Sequence, residues 1–172
     1  MDFETQSIAE KKFGDYFNVL NSVATLKNEI FLFEPEGEDD NYYYFKDIKI
    51  EKAMAHTAAS PRSRRTNRNY KIIFPYKIDG QNIARITEEN FQKQYPCTYQ
   101  YLLKKKNDLQ NRNLDKRTNW YEYGRSQALS SIGSEKILIP MVLSRKLIIY
   151  REEADTIPFA GYYITCKTSQ YT

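Results

Sequence analysis

The sequence predicts an α+β fold with a mixed or antiparallel sheet, a few helices and long irregular loops. Short apolar runs bounded by polar turns indicate several strands, but helices do not alternate regularly with them, which argues against a doubly wound parallel sheet. The chain has 172 residues, of which 41% are apolar and 28% charged, as is typical of a folded domain. We therefore expect residues 1–172 to form a single domain.

Local patterns define the elements of the first half. The stretch "SIAEKKFGDYF" is weakly helical, and "YFNVLNSVATLKNEIFLFEP" predicts two short strands around a polar connection at residues 21–28. An acidic turn, "EPEGEDDN", leads into "YYYFKDIKI", which predicts a further strand with Tyr44, Ile48 and Ile50 on its apolar side.

The next segment has no periodic pattern. Residues 53–69, "AMAHTAASPRSRRTNRN", are rich in small and basic side chains. Such a composition predicts a long loop, mobile or ordered by a ligand, whose basic part covers about residues 56–70.

Stronger signals follow in the second half. "YKIIFPY" predicts a buried strand, and Thr87 is the expected N-cap of a helix at residues 88–93. After Pro96, the spacing of apolar residues predicts a helix to about residue 113. The segments "EKILIPMVL", "KLIIY" and "GYYITC" predict three final strands, of which the second pairs with the first.

Charge is distributed unevenly along the chain. Residues 1–60 contain 6 Lys/Arg and 12 Asp/Glu, whereas residues 61–172 contain 20 Lys/Arg and 10 Asp/Glu, a net charge of +10. A polyanion such as nucleic acid is attracted by a field of this kind. The 15 tyrosines and 9 phenylalanines exceed what packing alone requires, so some aromatic side chains are expected to contact a ligand.

Cysteine content and hydropathy indicate the cellular compartment of the protein. Cys97 and Cys166 are too few for a disulfide framework and lack zinc-site spacing, which favours a reducing compartment. No apolar run approaches the roughly 20 residues that span a bilayer, and the acidic start does not resemble a signal peptide. We expect a cytoplasmic protein without a membrane partner.

Catalytic motifs are weak. The six glycines are scattered, and His56, the only histidine, lies in the irregular segment, so neither a Gly-rich phosphate loop nor a Ser-His-Asp triad is indicated. Asp47 and Lys49, with Asp39 or Asp40, resemble part of a metal-dependent nuclease motif, but alternating charges on a solvated strand explain the same pattern. We expect no catalytic residue and no metal site in this chain.

Three basic clusters are candidates for nucleic-acid contacts. The first contains Arg62, Arg64, Arg65 and Arg68, whose planar guanidinium groups suit phosphates and guanine edges. The second, Lys104 to Lys106, is equally compatible with an ordinary exposed helix face and with a phosphate-contacting one. In the third, "WYEYGR", we expect Trp120 to anchor the core and Arg125 to contact the ligand beside the flexible Gly124.

The order of these segments resembles a known family. The stretches are "IFPY" at 73–76, "YPCTYQYLLKKKNDLQNR" at 95–112, "WYEYGRSQ" at 120–127 and "KILIP" at 136–140. They are similar, in the same order, to the TaqI-like C-terminal specificity domain of adenine-specific DNA methyltransferases, including type IIG restriction-modification enzymes. Thr25, Asn28 and Phe31 resemble the family's "T..N..F" motif, although Asn21-Ser22 stands where the family usually has glycine.

The resemblance implies a DNA target-recognition domain of a modification methyltransferase. Its partners would be double-stranded DNA and an N-terminal methyltransferase domain of the same polypeptide, which would bind S-adenosylmethionine and hold the flipped adenine, so no cofactor is expected here. A fused endonuclease is compatible with the family. An autonomous metal-dependent nuclease and a general nucleic-acid-binding module are the alternatives. The expected DNA-binding residues are Arg62, Arg64, Arg65, Arg68, Lys104, Lys105, Trp120, Tyr121, Tyr123, Gly124, Arg125 and Gln127.

Overall fold

A computed structural model describes residues 12–79, 82–126, 128–129, 132–142 and 147–167. The helices in these ranges are α1 (Phe13–Tyr16), α2 (Asn28–Phe31), α3 (Pro61–Arg65), α4 (Glu88–Gln94), α5 (Pro96–Leu103) and α6 (Lys106–Gln110), with a 3₁₀ turn at Lys52–Met54. The strands are β1 (Phe17–Asn21), β2 (Leu32–Phe33), β3 (Gly37–Glu38), β4 (Tyr42–Phe45), β5 (Ile48–Glu51), β6 (Ala55–Ala59), β7 (Tyr70–Ile73), β8 (Tyr76–Asp79), β9 (Asn82–Arg85), β10 (Lys136–Ile139), β11 (Tyr150–Glu152), β12 (Ile157–Pro158) and β13 (Tyr162–Cys166).

The strands form small sheets, and the predicted α+β class is confirmed. The first sheet has the order β1-β13-β10-β11 and is antiparallel throughout. The second has the order β12-β6-β7-β2, with a parallel β12–β6 pair that makes it mixed. A three-stranded sheet, β3-β4-β5, and a two-stranded ribbon, β8-β9, complete the described part.

Residues of the first sheet alternate between its two faces. Leu20 pairs with Tyr163, and both contribute to a small core with Ala59 and Leu138. The neighbouring Val19 lies on the opposite face and is exposed. This alternation is the period of two that a half-buried strand requires.

The main core is aromatic, which explains much of the tyrosine content. Three buried tyrosines donate their hydroxyl hydrogens to backbone carbonyls: Tyr101 to Ile30 (2.9 Å), Tyr121 to Ile86 (2.7 Å) and Tyr123 to Ile73 (2.8 Å). A buried hydroxyl needs such an acceptor, because an unpaired one loses its hydration without compensation. These rings therefore fill the core and tie segments together, rather than forming an exposed surface.

The prediction of a loop over residues 53–69 is wrong. Strand β6 pairs with β12 along one edge and with β7 along the other, and the burial of its small residues does not alternate. Helix α3 then begins at Pro61, and the Ser60 hydroxyl accepts a hydrogen bond from the Ser63 amide at 3.1 Å. A Ser N-cap followed by Pro is a standard start signal for a helix.

Two other predicted elements are each divided in two. The segment "YYYFKDIKI" forms the β4–β5 hairpin instead of one strand, because Lys46 adopts a positive φ of 52° at the turn. The helix expected after Pro96 ends at Leu103 and resumes as α6. At its beginning, the backbone amides of Cys97 and Thr98 each donate to the Glu51 carboxylate at 2.8 Å, so a strand residue caps the helix.

Other predictions agree more closely with the structure. The Thr87 hydroxyl accepts from the Asn90 amide and caps α4, as predicted. Strand β10 pairs with β11, although β11 begins only at the last residue of "KLIIY". Only residues 12–17 of the weakly helical first stretch are described, and α1 lies there. Among the helices of the described ranges, none is long and apolar enough to cross a membrane.

Candidate nucleic-acid interface

The backbone at Gly124 and Arg125 is fixed by the segment that follows β1. The Arg125 amide donates to the Ala24 carbonyl at 3.2 Å, and the Gly124 amide donates to the Thr25 carbonyl at 3.3 Å. Glycine is needed because a Cβ at position 124 would lie 2.4 Å from Leu26 Cδ1. The small residue therefore leaves room for the Leu26 side chain where the two segments are hydrogen-bonded.

Thr25 and Asn28 shape the segment that holds Gly124. The Thr25 hydroxyl donates to Asn28 Oδ1 at 2.6 Å and accepts from the Lys27 amide at 3.1 Å. Leu26, the residue between Thr25 and Lys27 in this turn, has a positive φ of 58°. These two residues of the "T..N..F" resemblance thus stabilise a turn, and the third, Phe31, is fully buried.

Arg112 connects three segments below this turn. Its guanidinium donates to the carbonyls of Leu109 (2.8 Å), Thr25 (2.5 Å) and Trp120 (2.5 Å), and it lies over the Phe31 ring. Burial lowers the pKa of Arg112 to about 10, so the side chain stays charged at neutral pH. We did not predict a role for Arg112, although it is the last residue of the quoted 95–112 motif.

The Arg125 side chain is oriented by the loop after α6. Its guanidinium lies 3.3 Å from the Asp115 carboxylate and donates to the carbonyls of Asn113 and Gly124. The other Asp115 oxygen accepts from the Ser126 amide at 3.0 Å. About one third of the Arg125 side chain remains exposed, so further donors are accessible to a ligand.

Arg125 borders a groove with a volume of about 660 Å³, which we call the first groove. Most of its lining comes from small or apolar residues and backbone. The lining residues are Val19, Leu20, Asn21, Ser22, Val23, Ala24, Asp115, Arg125, Ala128, Phe159, Ala160 and Gly161. Backbone hydrogen bonds join its two sides, from the Ser22 amide to Gly161 (3.2 Å) and from the Val23 amide to Pro158 (2.9 Å).

Helix α3 lies next to this groove and carries three arginines of the first basic cluster, Arg62, Arg64 and Arg65, whereas Arg68 follows the helix. A Cβ at Gly161, which has a φ of 95°, would lie 3.5 Å from Pro61 Cδ and 2.9 Å from the Ile139 carbonyl oxygen. Gly161, which lines the groove, therefore lies close to the first residue of α3. Arg125 and Gly161 both line this groove, so the beginning of α3 lies near one part of its lining, and a shared contact surface for Arg125 and the α3 arginines stays a prediction.

The four arginines of this cluster are not equivalent. Arg64 donates to both carboxylate oxygens of the buried Glu152, at 2.6 and 2.5 Å, and Arg68 makes a similar two-bond pair with Glu34. Arg62 and Arg65 are exposed, and no carboxylate among the described residues pairs with them. Only these two are thus available to a phosphate without breaking an ion pair.

Lys104 and Lys105 lie elsewhere. They form the break between α5 and α6, and both are exposed. The adjacent Lys106 lies 4.8 Å from the centre of the Trp120 ring and 3.9 Å from the Glu88 carboxylate. No described contact joins Lys104 or Lys105 to the lining of the first groove.

The aromatic residues of "WYEYGR" belong to the core. Trp120 is 8% exposed and donates through Nε1 to Glu88 at 2.9 Å, which confirms its expected core position. Tyr121 and Tyr123 are 0% and 1% exposed. The surrounding core covers both rings, and their contact with DNA stays a prediction. Gln127 lies outside the described residues.

The geometry around Asp39 and Lys49 does not support the alternative of a metal-dependent nuclease. The Asp39 carboxylate accepts from the amides of Asn41 and Tyr42 and from the Tyr44 hydroxyl, and these bonds lower the pKa of Asp39. Lys49 lies over the rings of Tyr42 and Tyr44. Within the described ranges, no three His, Cys, Asp or Glu side chains are grouped to hold a metal ion.

Comparisons with known proteins agree with one part of the sequence analysis. No protein-family model matches the chain. The chain is 27% identical over 147 residues to the type II restriction enzyme and methyltransferase RM.Eco57I of Escherichia coli. The match covers 74% of this chain but 15% of that protein. The chain is therefore related in sequence to a small part of a much longer restriction and modification protein.

Proposed function

We propose that this chain is the DNA target-recognition domain of an adenine-N6 DNA methyltransferase in a restriction-modification system. The main support is the collinear set of motifs, together with the similarity to RM.Eco57I, a restriction enzyme and methyltransferase. The structure gives these motifs a physical role. Thr25, Asn28, Arg112 and Gly124 hold the backbone that presents Arg125 at the first groove.

In the proposed mechanism, this domain holds the duplex on one side. Arg62 and Arg65 bind phosphates through Coulomb attraction and N–H donors, which fixes the position of the protein without reading sequence. Arg125, already oriented by Asp115, reaches the duplex from the groove edge and loses little side-chain entropy on binding. The net charge of +10 in residues 61–172 favours encounter with the polyanion.

Methyl transfer takes place elsewhere in this proposal. An adenine within a stacked duplex is inaccessible, so the enzyme must rotate it out of the helix before transfer. We assign that step, and the binding of S-adenosylmethionine, to a methyltransferase domain of the same polypeptide. The present domain supplies the opposing contacts that hold the remaining duplex in place.

Expression of the complete gene in a host without adenine methylation tests this function. Single-molecule sequencing should detect N6-methyladenine at one defined motif. Arg125→Ala should lower the methylated fraction at that motif while the protein accumulates normally. The absence of a methylated motif with the natural sequence would refute the proposed function, and full methylation by Arg125→Ala would remove this residue from the site.

A further inference from the structure

A second groove is bordered by Tyr123 and Ser126, the residues on either side of Gly124 and Arg125 in the sequence. Its volume is about 510 Å³, and Ser126 lines it whereas Arg125 lines the first groove. The β8–β9 ribbon contributes Asn82 and Arg85, and the loop after α6 contributes Lys116 and Thr118. No prediction from the sequence included these four residues, because isolated polar side chains on short segments form no pattern.

Ion pairing holds the two sides of this second groove together. The Arg85 guanidinium donates to both oxygens of Glu122 and to the Arg117 carbonyl at 2.5 Å. Glu122 is 2% exposed and also accepts from the Asn119 amide at 2.8 Å. Arg117 adopts a positive φ of 65°, a costly conformation for a residue other than glycine. The ribbon and the loop are therefore preorganised with respect to each other.

Several polar groups in the second groove have no protein partner. Within the described residues, no hydrogen bond or ion pair is formed by the side chains of Asn82, Lys116 or Thr118, and the first two are exposed. Buried Tyr76 accepts the Tyr123 amide N–H at 2.8 Å, and burial raises the pKa of Tyr76, so its hydroxyl keeps its hydrogen. In the first groove, Arg125, Asp115 and Ser22 are already hydrogen-bonded, and among the described polar side chains of its lining only that of Asn21 has no partner.

The chemistry of the unpaired groups defines the ligand. A carboxamide presents one donor and one acceptor side by side, which matches N7 and the N6 amino group of adenine in the major groove. A hydroxyl can pair with several base edges, and an ammonium suits a phosphate. The major groove of B-DNA also admits a two-stranded antiparallel ribbon, the form that β8 and β9 adopt.

We propose that the β8–β9 ribbon and the second groove read base edges in the DNA major groove. Asn82 and Thr118 determine sequence preference, and Lys116 binds an adjacent phosphate. This inference rests on the proposed function and deepens it, because it separates base reading at the second groove from phosphate binding at α3. Arg85 is a positioning residue that holds the loop against the ribbon.

Selection from a randomised duplex pool tests this assignment with the 172-residue chain. The variants are Asn82→Ala, Thr118→Val and Lys116→Gln, and Asn41→Ala, an exposed asparagine in the β3–β4 turn, is the matched control. Asn82→Ala should reduce discrimination at one base pair by about 5- to 150-fold, the range of one bidentate contact. Thr118→Val should relax preference at a neighbouring position, and Asn41→Ala should select the natural motif.

Lys116→Gln should behave differently from the base-reading variants. Its affinity should fall for all duplexes alike, with a salt slope reduced by about 0.9, as for one lost phosphate contact. Thermal unfolding of each variant verifies that the fold is retained. Selection of the natural motif with unchanged discrimination by Asn82→Ala and Thr118→Val would overturn this inference. It would leave the proposed function intact, because that function is tested independently by methylation in the host.

Discussion

The difference between paired and unpaired arginines on and beside α3 leads to a quantitative prediction. Replacing Arg62 and Arg65 by glutamine removes two exposed cations that no described carboxylate neutralises. Glutamine and arginine have similar helix propensities, so the α3 helix should remain. We expect this double variant to bind duplex DNA more weakly and with a smaller dependence on salt.

The magnitude follows from counterion release. Each neutralised phosphate contributes about −0.9 to the slope of log K against log salt, so loss of two contacts should reduce the slope by about 1.8. Between about 50 and 200 mM salt, the affinity ratio of natural to variant protein should then fall by about 12-fold. Arg68→Gln combined with Glu34→Gln removes an existing ion pair and should leave the slope unchanged.

Fluorescence anisotropy with a labelled duplex, titrated at several salt concentrations, measures this slope. Lys46→Gln combined with Lys93→Gln is the matched control, since it removes the same charge from exposed positions in the β4–β5 turn and in α4. An identical change in slope for this control would show that net charge alone is responsible. An unchanged slope for the Arg62 and Arg65 variant would refute phosphate binding by α3.

Two further predictions concern stability. Arg112→Met should lower the free energy of unfolding in urea by about 3 kcal/mol, because three buried carbonyls lose their donor. The control Arg151→Met, at an exposed arginine, should change it by less than about 1 kcal/mol. Equal effects of the two substitutions would contradict the connecting role of Arg112. Burial lowers the pKa of His56 below its usual 6.5, with nearby Lys71 acting in the same direction and Asp155 opposing it. Below pH 6.5 the unfolded state then binds more protons than the folded state, so the free energy of unfolding should fall as the pH drops from 6.5 through the lowered pKa. His56→Gln should remove this loss between about pH 6.5 and 5, where ordinary carboxylates still stay ionised. The same pH dependence in both proteins would contradict the assignment.

Local signals in the sequence were sufficient for elements that rely on local chemistry. The Thr87 cap and the buried strand before Pro75 depend on neighbouring residues, and both are found in the structure. The Ser60-Pro61 start of α3 was present in the sequence but was hidden by the basic composition around it. Strand β6 could not be recognised by periodicity, because the burial of its residues does not alternate.

The candidate interface depends on contacts between distant segments, which sequence patterns do not report. Charge marked the arginines on and beside α3 as candidates but could not distinguish Arg62 from Arg64, because the partner of Arg64, Glu152, is 88 residues away. Aromatic content suggested ring contacts with DNA at Tyr121 and Tyr123, yet their hydroxyls bond to carbonyls of the core. The second groove was missed because its ribbon and loop are joined by contacts between residues distant in sequence, such as the pairs of Arg85 with Glu122 and of Tyr76 with Tyr123.

Asp115 connects residues at the edges of the two grooves. Its two carboxylate oxygens hold Arg125, which borders one groove, and Ser126, which borders the other. A phosphate that attracts Arg125 away from Asp115 leaves this carboxylate with only one of its two partners, so the Ser126 backbone can shift as well. Changes made on either side of this carboxylate should therefore combine non-additively, and redesign of specificity in one groove has to include the other.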